Sequence, residues 1–202
     1  MNNAQQFWNW FQNNEAKYFF LNQIDDENEK EQFLDELLAQ LHLYCKNLFF
    51  EVGGYPDKTQ DLIITADGNP DFFDQAESLV AEAPELKHWN IIALKPPVEG
   101  GVIESNGIQL SPEKMWFIPL SSKKSPKIGL RLYIDNYNSD EKDNFLFASY
   151  LLIDNLLGEK SSGLDIGHVE IENLPPISQQ DDLIELYKLP RYVKWHKNNT
   201  KV

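Results

Sequence analysis

The residues best suited to chemistry follow two apolar runs that we expect to be neighbouring parallel strands. The runs are residues 62–66 and 91–95, and polar or aromatic side chains stand at their ends and in the loop that follows. Because ligand sites in α/β units favour the ends of such strands, this arrangement predicts a small binding pocket. The candidate binding residues are Asp67, Asn69, Trp89, Lys95 and Glu99. The pattern assigns a catalytic role to none of them.

Two other groups of reactive side chains have simpler structural explanations. His42 and Cys45 are three residues apart on a predicted helix, but a catalytic cysteine needs an exposed thiolate beside a positive group. Cys45 continues a leucine stripe, which predicts a thiol that packs. Asp154 interrupts an apolar helix and Glu159 follows the end of that helix, and both are expected to be partly buried, either in structural bonds or at a functional site.

Common cofactor, metal and hydrolase motifs are missing from the sequence. There is no Walker loop, no Gly-x-Gly-x-x-Gly fingerprint and no Gly-x-Ser-x-Gly elbow. The loop before Pro70 opens a helix, yet Asp67, Asp71 and Asp74 disfavour an anion there. The four histidines are too scattered for a local zinc pattern: His42, His88, His168 and His196. We therefore expect no cofactor and no bound metal.

The stretch 46–97 positions the candidate pocket and indicates the fold class. Short β-branched runs bounded by polar residues predict strands, and apolar residues at helical spacing predict a helix. The expected order is strand 48–52, strand 62–66, helix 70–83 and strand 91–94. The first two strands are predicted to form a hairpin, and the helix is predicted to form a crossover between parallel strands.

The remaining segments predict helical cover and more sheet. Two helices, 2–20 and one that begins after Asp26, cover the sheet, and the first is rich in aromatic residues. Further strands are expected at 102–104, 108–110, 115–120, 128–134 and 167–171, with a buried helix near 141–157, a short helix at 178–187 and a final turn at 191–197. The prediction is one α+β domain over 1–202, with 1–45 as helical cover and 46–202 as sheet and helices. Its sheet is mixed, mainly antiparallel, and has about six or seven strands.

Charge is concentrated in the first half of the chain. The formal charge is −14, of which residues 1–100 carry −12. This field repels phosphate backbones and anionic membranes and attracts basic proteins, although it also serves solubility alone. We expect no nucleic acid and no membrane as partners. A single cysteine, no signal peptide and no membrane-spanning run indicate a cytoplasmic protein.

Several segments of the chain resemble a family of uncharacterised bacterial proteins. The residues that carry the resemblance are Phe7-Trp8-Asn9-Trp10-Phe11, Leu62-Ile63-Ile64-Thr65-Ala66-Asp67-Gly68-Asn69, Ala83-Pro84-Glu85-Leu86-Lys87-His88-Trp89, Ala93-Leu94-Lys95-Pro96-Pro97 and Leu156-Leu157-Gly158-Glu159. The resemblance implies a compact α+β cytoplasmic protein, and it brings no activity or catalytic residues with it.

Two functions from different classes fit the sequence. The first is a non-enzymatic interaction protein whose acidic surface binds a basic protein partner, for example an immunity-type protein that neutralises a toxin. The second is a small enzyme or ligand-binding protein with its pocket at the ends of strands 62–66 and 91–95. The sequence does not determine the oligomeric state.

Overall fold

The chain contains two compact units, each with its own hydrophobic core. The computed structural model describes residues 3–54, 58–98, 100–120 and 125–199. The N-unit is Met1–Lys95 and the C-unit is Pro96–Val202. Helices and strands occur in both, so the α+β class is confirmed. The prediction that all 202 residues form a single domain stays a prediction.

The described residues form six α-helices and nine strands. The helices are α1 (Asn3–Phe19), α2 (Glu27–Tyr44), α3 (Phe73–Ala81), α4 (Lys142–Leu157), α5 (Glu159–Asp165) and α6 (Leu189–Asn199). The strands are β1 (Phe49–Gly54), β2 (Gln60–Thr65), β3 (Trp89–Ala93), β4 (Ile103–Ser105), β5 (Ile108–Leu110), β6 (Met115–Leu120), β7 (Ile128–Ile134), β8 (Ile166–Asn173) and β9 (Ile184–Glu185). None of the helices in these ranges is both long and apolar enough to cross a membrane.

The N-unit has the hairpin and the crossover that its sequence predicts. β1 pairs with β2 in antiparallel fashion, and β2 pairs with β3 in parallel. The Asn69 side chain accepts a hydrogen bond from Asp71 N at 3.1 Å and caps the 3₁₀ turn that leads into α3. The polar side chain after β2 therefore starts the crossover helix.

Aromatic residues of α1 form much of the N-unit core. Phe7, Trp8, Phe11 and Tyr18 are buried, and the indole nitrogen of Trp8 donates to Leu79 O at 2.8 Å. The last contact joins α1 to α3. The aromatic face of the first helix is thus cover for the sheet.

The C-unit contains a four-stranded sheet and a separate hairpin. The sheet has the order β8-β7-β6-β9, with β7 and β8 parallel and the other pairs antiparallel. The hairpin β4-β5 turns at Asn106 and Gly107, whose φ values are 50° and 77°. Both values are positive, as the tight hairpin turn requires, and the strands predicted at 102–104 and 108–110 are found as β4 and β5.

The prediction of a single sheet of six or seven strands is wrong. The strands fall into separate sheets of three, two and four strands. Strand pattern shows which segments are extended, whereas pairing depends on long-range packing. The predicted helix at 178–187 is also wrong, because that segment contains β9 and short 3₁₀ turns, and the predicted final turn at 191–197 is part of the 11-residue helix α6.

Helix α4 is less enclosed than its composition predicts. Phe145, Leu152 and Ile153 are buried, but Phe147 is 52% exposed and Tyr150 is 42% exposed. The apolar residues therefore extend beyond the face that packs on the C-unit core.

Both units contain the same β-β-α-β order around a central second strand. In the N-unit, β1 and β2 form the hairpin and α3 leads to β3, which is parallel to β2. In the C-unit, β6 and β7 form the hairpin, and α4 with α5 leads to β8, which is parallel to β7. The chain thus builds one topology twice, although its sequence shows no repeat.

Gly158 joins α4 to α5 in a backbone conformation that only glycine adopts readily. Its φ is 75° and its ψ is 153°. We expect Gly158→Ala to lower the free energy of unfolding by about 1–3 kcal/mol, measured by urea denaturation. Gly53→Ala is the control, because space around a Cβ at Gly53 is open, and its effect should stay within about 0.5 kcal/mol. Equal effects of the two variants would contradict the backbone explanation.

Candidate functional site

The structure brings two of the candidate binding residues together, Asp67 and Lys95. They follow the carboxyl ends of the parallel strands β2 and β3. Lys95 Nζ lies 3.9 Å from Asp67 Oδ1 and 3.6 Å from Glu51 Oε1 of β1. One ammonium group therefore faces two carboxylates at this end of the N-unit sheet.

The other three candidates do not join this group as one pocket. Asn69 lies close in sequence to Asp67, but its side chain caps the following turn. Trp89 begins β3, about 13 Å along the strand from Ala93 at its far end. It is buried, and its ring lies 5.2 Å from that of Phe11. Glu99 lies outside the described residues.

Two left-handed residues shape the backbone where Asp67 and Lys95 meet. Asp67 has a φ of 51° and Leu94 a φ of 62°. Aspartate tolerates this region, whereas a bulky leucine seldom occupies it. Leu94 is held there by burial of its side chain and by its own N–H, which donates to Ile64 O at 2.8 Å. The turn directs the chain so that Lys95 reaches both carboxylates.

This charge cluster is a surface feature. The side chain of Lys95 is 23% exposed, and those of Glu51 and Asp67 are 54% and 74% exposed. Ion pairs this exposed contribute about 0–1 kcal/mol each to stability. The arrangement can hold the strand ends in place and presents more negative than positive charge to solvent.

A second candidate surface is a row of carboxylates on α2, which we call the acidic stripe: Glu27, Glu31 and Asp35. The residues recur every four positions, so they lie on one side of the helix, and all three are exposed. Lys30 Nζ pairs with Glu27 Oε1 at 2.8 Å. Glu31 and Asp35 form no ion pair with any residue in the part of the chain described here. Two charges of the stripe are thus unneutralised.

Tyr44, the last residue of α2, has a raised pKa. The hydroxyl of Tyr44 donates to Gln75 O at 3.2 Å, which joins α2 to the segment of α3. Burial raises the pKa of Tyr44, and the nearby negative charge of Glu82 raises it further.

The N-unit carries 17 acidic and 6 basic side chains, a formal charge of −11.

A third candidate is a groove in the C-unit between α4 and α6, which we call the α4–α6 groove. It consists of two cavities of about 360 and 680 Å³. They share Pro97, Leu156 and Pro190. Val98 N donates to Asn155 O at 2.7 Å, which fixes the 97–98 segment beside α4. Pro97 and Val98, in the loop that follows β3, therefore line this groove.

The other reactive groups singled out from the sequence are His42, Cys45, Asp154 and Glu159. His42 Nε2 lies 3.2 Å from Leu48 O, and Cys45 is half-buried and packs against the N-unit core. Asp154, which lies within α4, is half-buried as expected, whereas Glu159, which begins α5, is fully buried. Within the described ranges, no group of three or more His, Cys, Asp or Glu side chains is placed to hold a metal ion.

Sequence reasoning missed the residues of α6 that line the groove. Pro190, Val193, Lys194 and Lys197 recur at helical spacing. That spacing is the signal for an amphipathic helix. Because residues 191–197 were predicted to form a turn, no helix face was assigned to them. The partners on α4 follow only from long-range packing.

Comparisons with known proteins identify no relative of this chain. No family model matches it, and neither the curated proteins nor the solved structures contain a match. The resemblance to an uncharacterised bacterial family stays a prediction.

Proposed function

We propose that the chain is a non-enzymatic, cytoplasmic interaction protein whose acidic stripe binds a basic protein partner. The observation that carries the proposal is the pair of exposed, unneutralised carboxylates on one side of α2, Glu31 and Asp35. An immunity-type protein that neutralises a basic toxin is one concrete form of this function.

The charge of the N-unit supports an electrostatically guided encounter. Its formal charge of −11 attracts cationic surfaces over a range set by the ionic strength. Carboxylates without internal partners can bind a lysine or arginine from another protein without first losing an ion pair. Charges of this kind affect the rate of association and the choice of partner.

Apolar side chains next to the stripe support a contact that is more than electrostatic. Leu34 and Leu38 are half-buried and lie one helical turn from Glu31 and Asp35. An interface that combines a central apolar contact with a charged rim is typical of specific protein complexes. The favoured partner surface is therefore a basic one with exposed apolar residues.

A double charge reversal, Glu31→Lys with Asp35→Lys, tests the proposal. Tagged wild-type and variant proteins are used to capture partners from native cell extract at low and high salt, with identification by mass spectrometry. We expect the wild type to retain a stoichiometric basic protein at low salt and to lose it at high salt. The variant should bind that protein at least about tenfold more weakly, because repulsion replaces attraction.

Asp181→Lys with Asp182→Lys is the matched control. These two carboxylates are exposed residues of the C-unit, and their reversal changes the net charge by the same amount. The control variant should bind the partner like the wild type. Equal losses of partner binding in both variants would show that net charge alone causes the effect. Retention of the partner by the stripe variant would refute the proposed surface.

The cavities of the α4–α6 groove favour a second function, the binding of a small molecule. Both volumes, about 360 and 680 Å³, are in the range of ordinary ligand pockets. The proposed ligand site is then in the C-unit, rather than around Asp67 and Lys95.

A further inference from the structure

The α4–α6 groove combines an apolar middle with one positively charged end. Its shared lining residues, Pro97, Leu156 and Pro190, are apolar, and Leu157 and Val193 extend the apolar lining toward the far end of α6. Lys194 and Lys197 lie at that far end, with Ser161 and Asn198. The opposite end is lined by Glu113 and Tyr187.

Internal contacts neutralise one of the two lysines. Lys197 Nζ lies 2.9 Å from Asp165 Oδ2, and Ser161 Oγ donates to the same oxygen at 2.6 Å. Lys194 forms no ion pair with any described residue. One uncompensated positive charge therefore borders the groove in a chain whose formal charge is −14.

The other end of the groove is unsuited to a second anion. Ser111 donates a hydrogen bond to the carboxylate of Glu113, and this bond lowers the pKa of Glu113. The hydrogen bond favours the ionised carboxylate, which repels negative charge. The groove is polarised along its length, with a lysine at one end and a carboxylate at the other.

We propose that the α4–α6 groove binds an amphipathic monocarboxylate, with its head group on Lys194 and its chain along Pro97, Leu156 and Pro190. From Lys194 to Pro190 the groove follows about 6 Å of α6. The larger cavity, of about 680 Å³, continues the groove beyond Pro190 and gives room for a medium-length acyl chain. The ammonium group forms a charge-assisted hydrogen bond with the head group, and apolar contacts bind the chain. This site is independent of the acidic stripe.

Isothermal titration with decanoate, well below its micelle-forming concentration, tests the site on the full chain. We expect saturable binding of one decanoate per chain, with at least about tenfold weaker binding of the neutral analogue decanol. Lys194→Glu should weaken decanoate binding by a similar factor or more and leave decanol binding unchanged. Amide chemical-shift changes should be centred on Val98, Leu156 and Val193.

Lys142→Glu is the control, because Lys142 is an exposed residue of the same unit that does not line the groove. It should bind decanoate like the wild type. No saturable binding, equal affinity for decanoate and decanol, or equal effects of the two lysine variants would each overturn the proposal. Circular dichroism is used to check that the variants are folded. Loss of partner capture with decanoate binding intact would separate this site from the proposed function.

Discussion

Phe11→Ala is expected to lower the free energy of unfolding by about 3–5 kcal/mol, as measured by urea denaturation with circular dichroism. Phe11 is fully buried in the N-unit. Its ring centroid lies 5.2 Å from that of Trp89 and 5.8 Å from that of Tyr18. Alanine would leave a cavity between α1 and β3 and remove both ring contacts. Because domains of this size are stabilised by only about 5–15 kcal/mol, the loss would be a large share of the total.

Phe20→Ala is the matched control for this prediction. Phe20 follows α1 directly and is 47% exposed. The same substitution should change the free energy of unfolding by about 0.5 kcal/mol or less, since little buried surface is lost. If the two variants were equally destabilised, the aromatic cluster around Phe11 would not be the source of the effect.

Local sequence patterns predicted the N-unit well because each of its elements has local signals. Residues 62–66 are β-branched and bounded by polar residues, and Asn69 with Pro70 marks the start of a helix. A strand, a helix and a second strand in so short a segment leave few connections other than a parallel crossover. One element of the C-unit also has a local signal: the β4–β5 hairpin turns at Asn106 and Gly107, whose φ values are positive.

The C-unit was predicted less well because its arrangement depends on distant contacts. Side chains of β7 alternate between apolar and more polar positions, which is typical of an antiparallel strand with one solvent-exposed face. β7 forms the expected antiparallel pairing with β6. Its other neighbour is β8, which is parallel and follows only after two helices. β9 has only two residues and pairs with β6 from far along the chain. Segments this short carry no periodic signal.

The candidate pocket shows the same limit at the level of side chains. Parallel pairing predicts that the residues after β2 and β3 meet, and Asp67 and Lys95 do so. Trp89 is at the other end of β3, so membership of the same strand could not bring it to them. The cavities beside Pro97 need α6, which the sequence pattern did not reveal as a helix.

The repeated β-β-α-β order has a physical basis in both units. In each, the middle strand is flanked on both sides, and its inward side chains are buried: Leu62 and Ile64 in β2, and Leu130 and Leu132 in β7. A central strand with both neighbours has no free edge, and edge strands are the aggregation-prone part of a sheet. Each unit therefore protects its most buried strand in the same way, while its covering helices differ.

Phe117→Ala is the corresponding large-effect prediction for the C-unit, with an expected loss of about 3–5 kcal/mol in the free energy of unfolding. Phe117 is fully buried in β6, where it pairs with Leu132 of β7 and Ile184 of β9. Its ring meets that of Tyr192 at a centroid distance of 5.5 Å, which joins the sheet to α6. Truncation would therefore weaken the sheet and the helix that lines the groove together.

Phe147→Ala distinguishes this loss from a general effect of removing a phenylalanine. Phe147 belongs to the same unit and is 52% exposed on α4, where alanine also has the higher helix propensity. We expect its unfolding free energy to stay within about 0.5 kcal/mol of the wild type in the same urea titration. Decanoate binding should be retained by Phe147→Ala and weakened by Phe117→Ala, because only Phe117 supports α6. A large loss of stability in Phe147→Ala would show that its exposed face is covered in solution, and unchanged decanoate binding in Phe117→Ala would separate the groove from the β6–α6 contact.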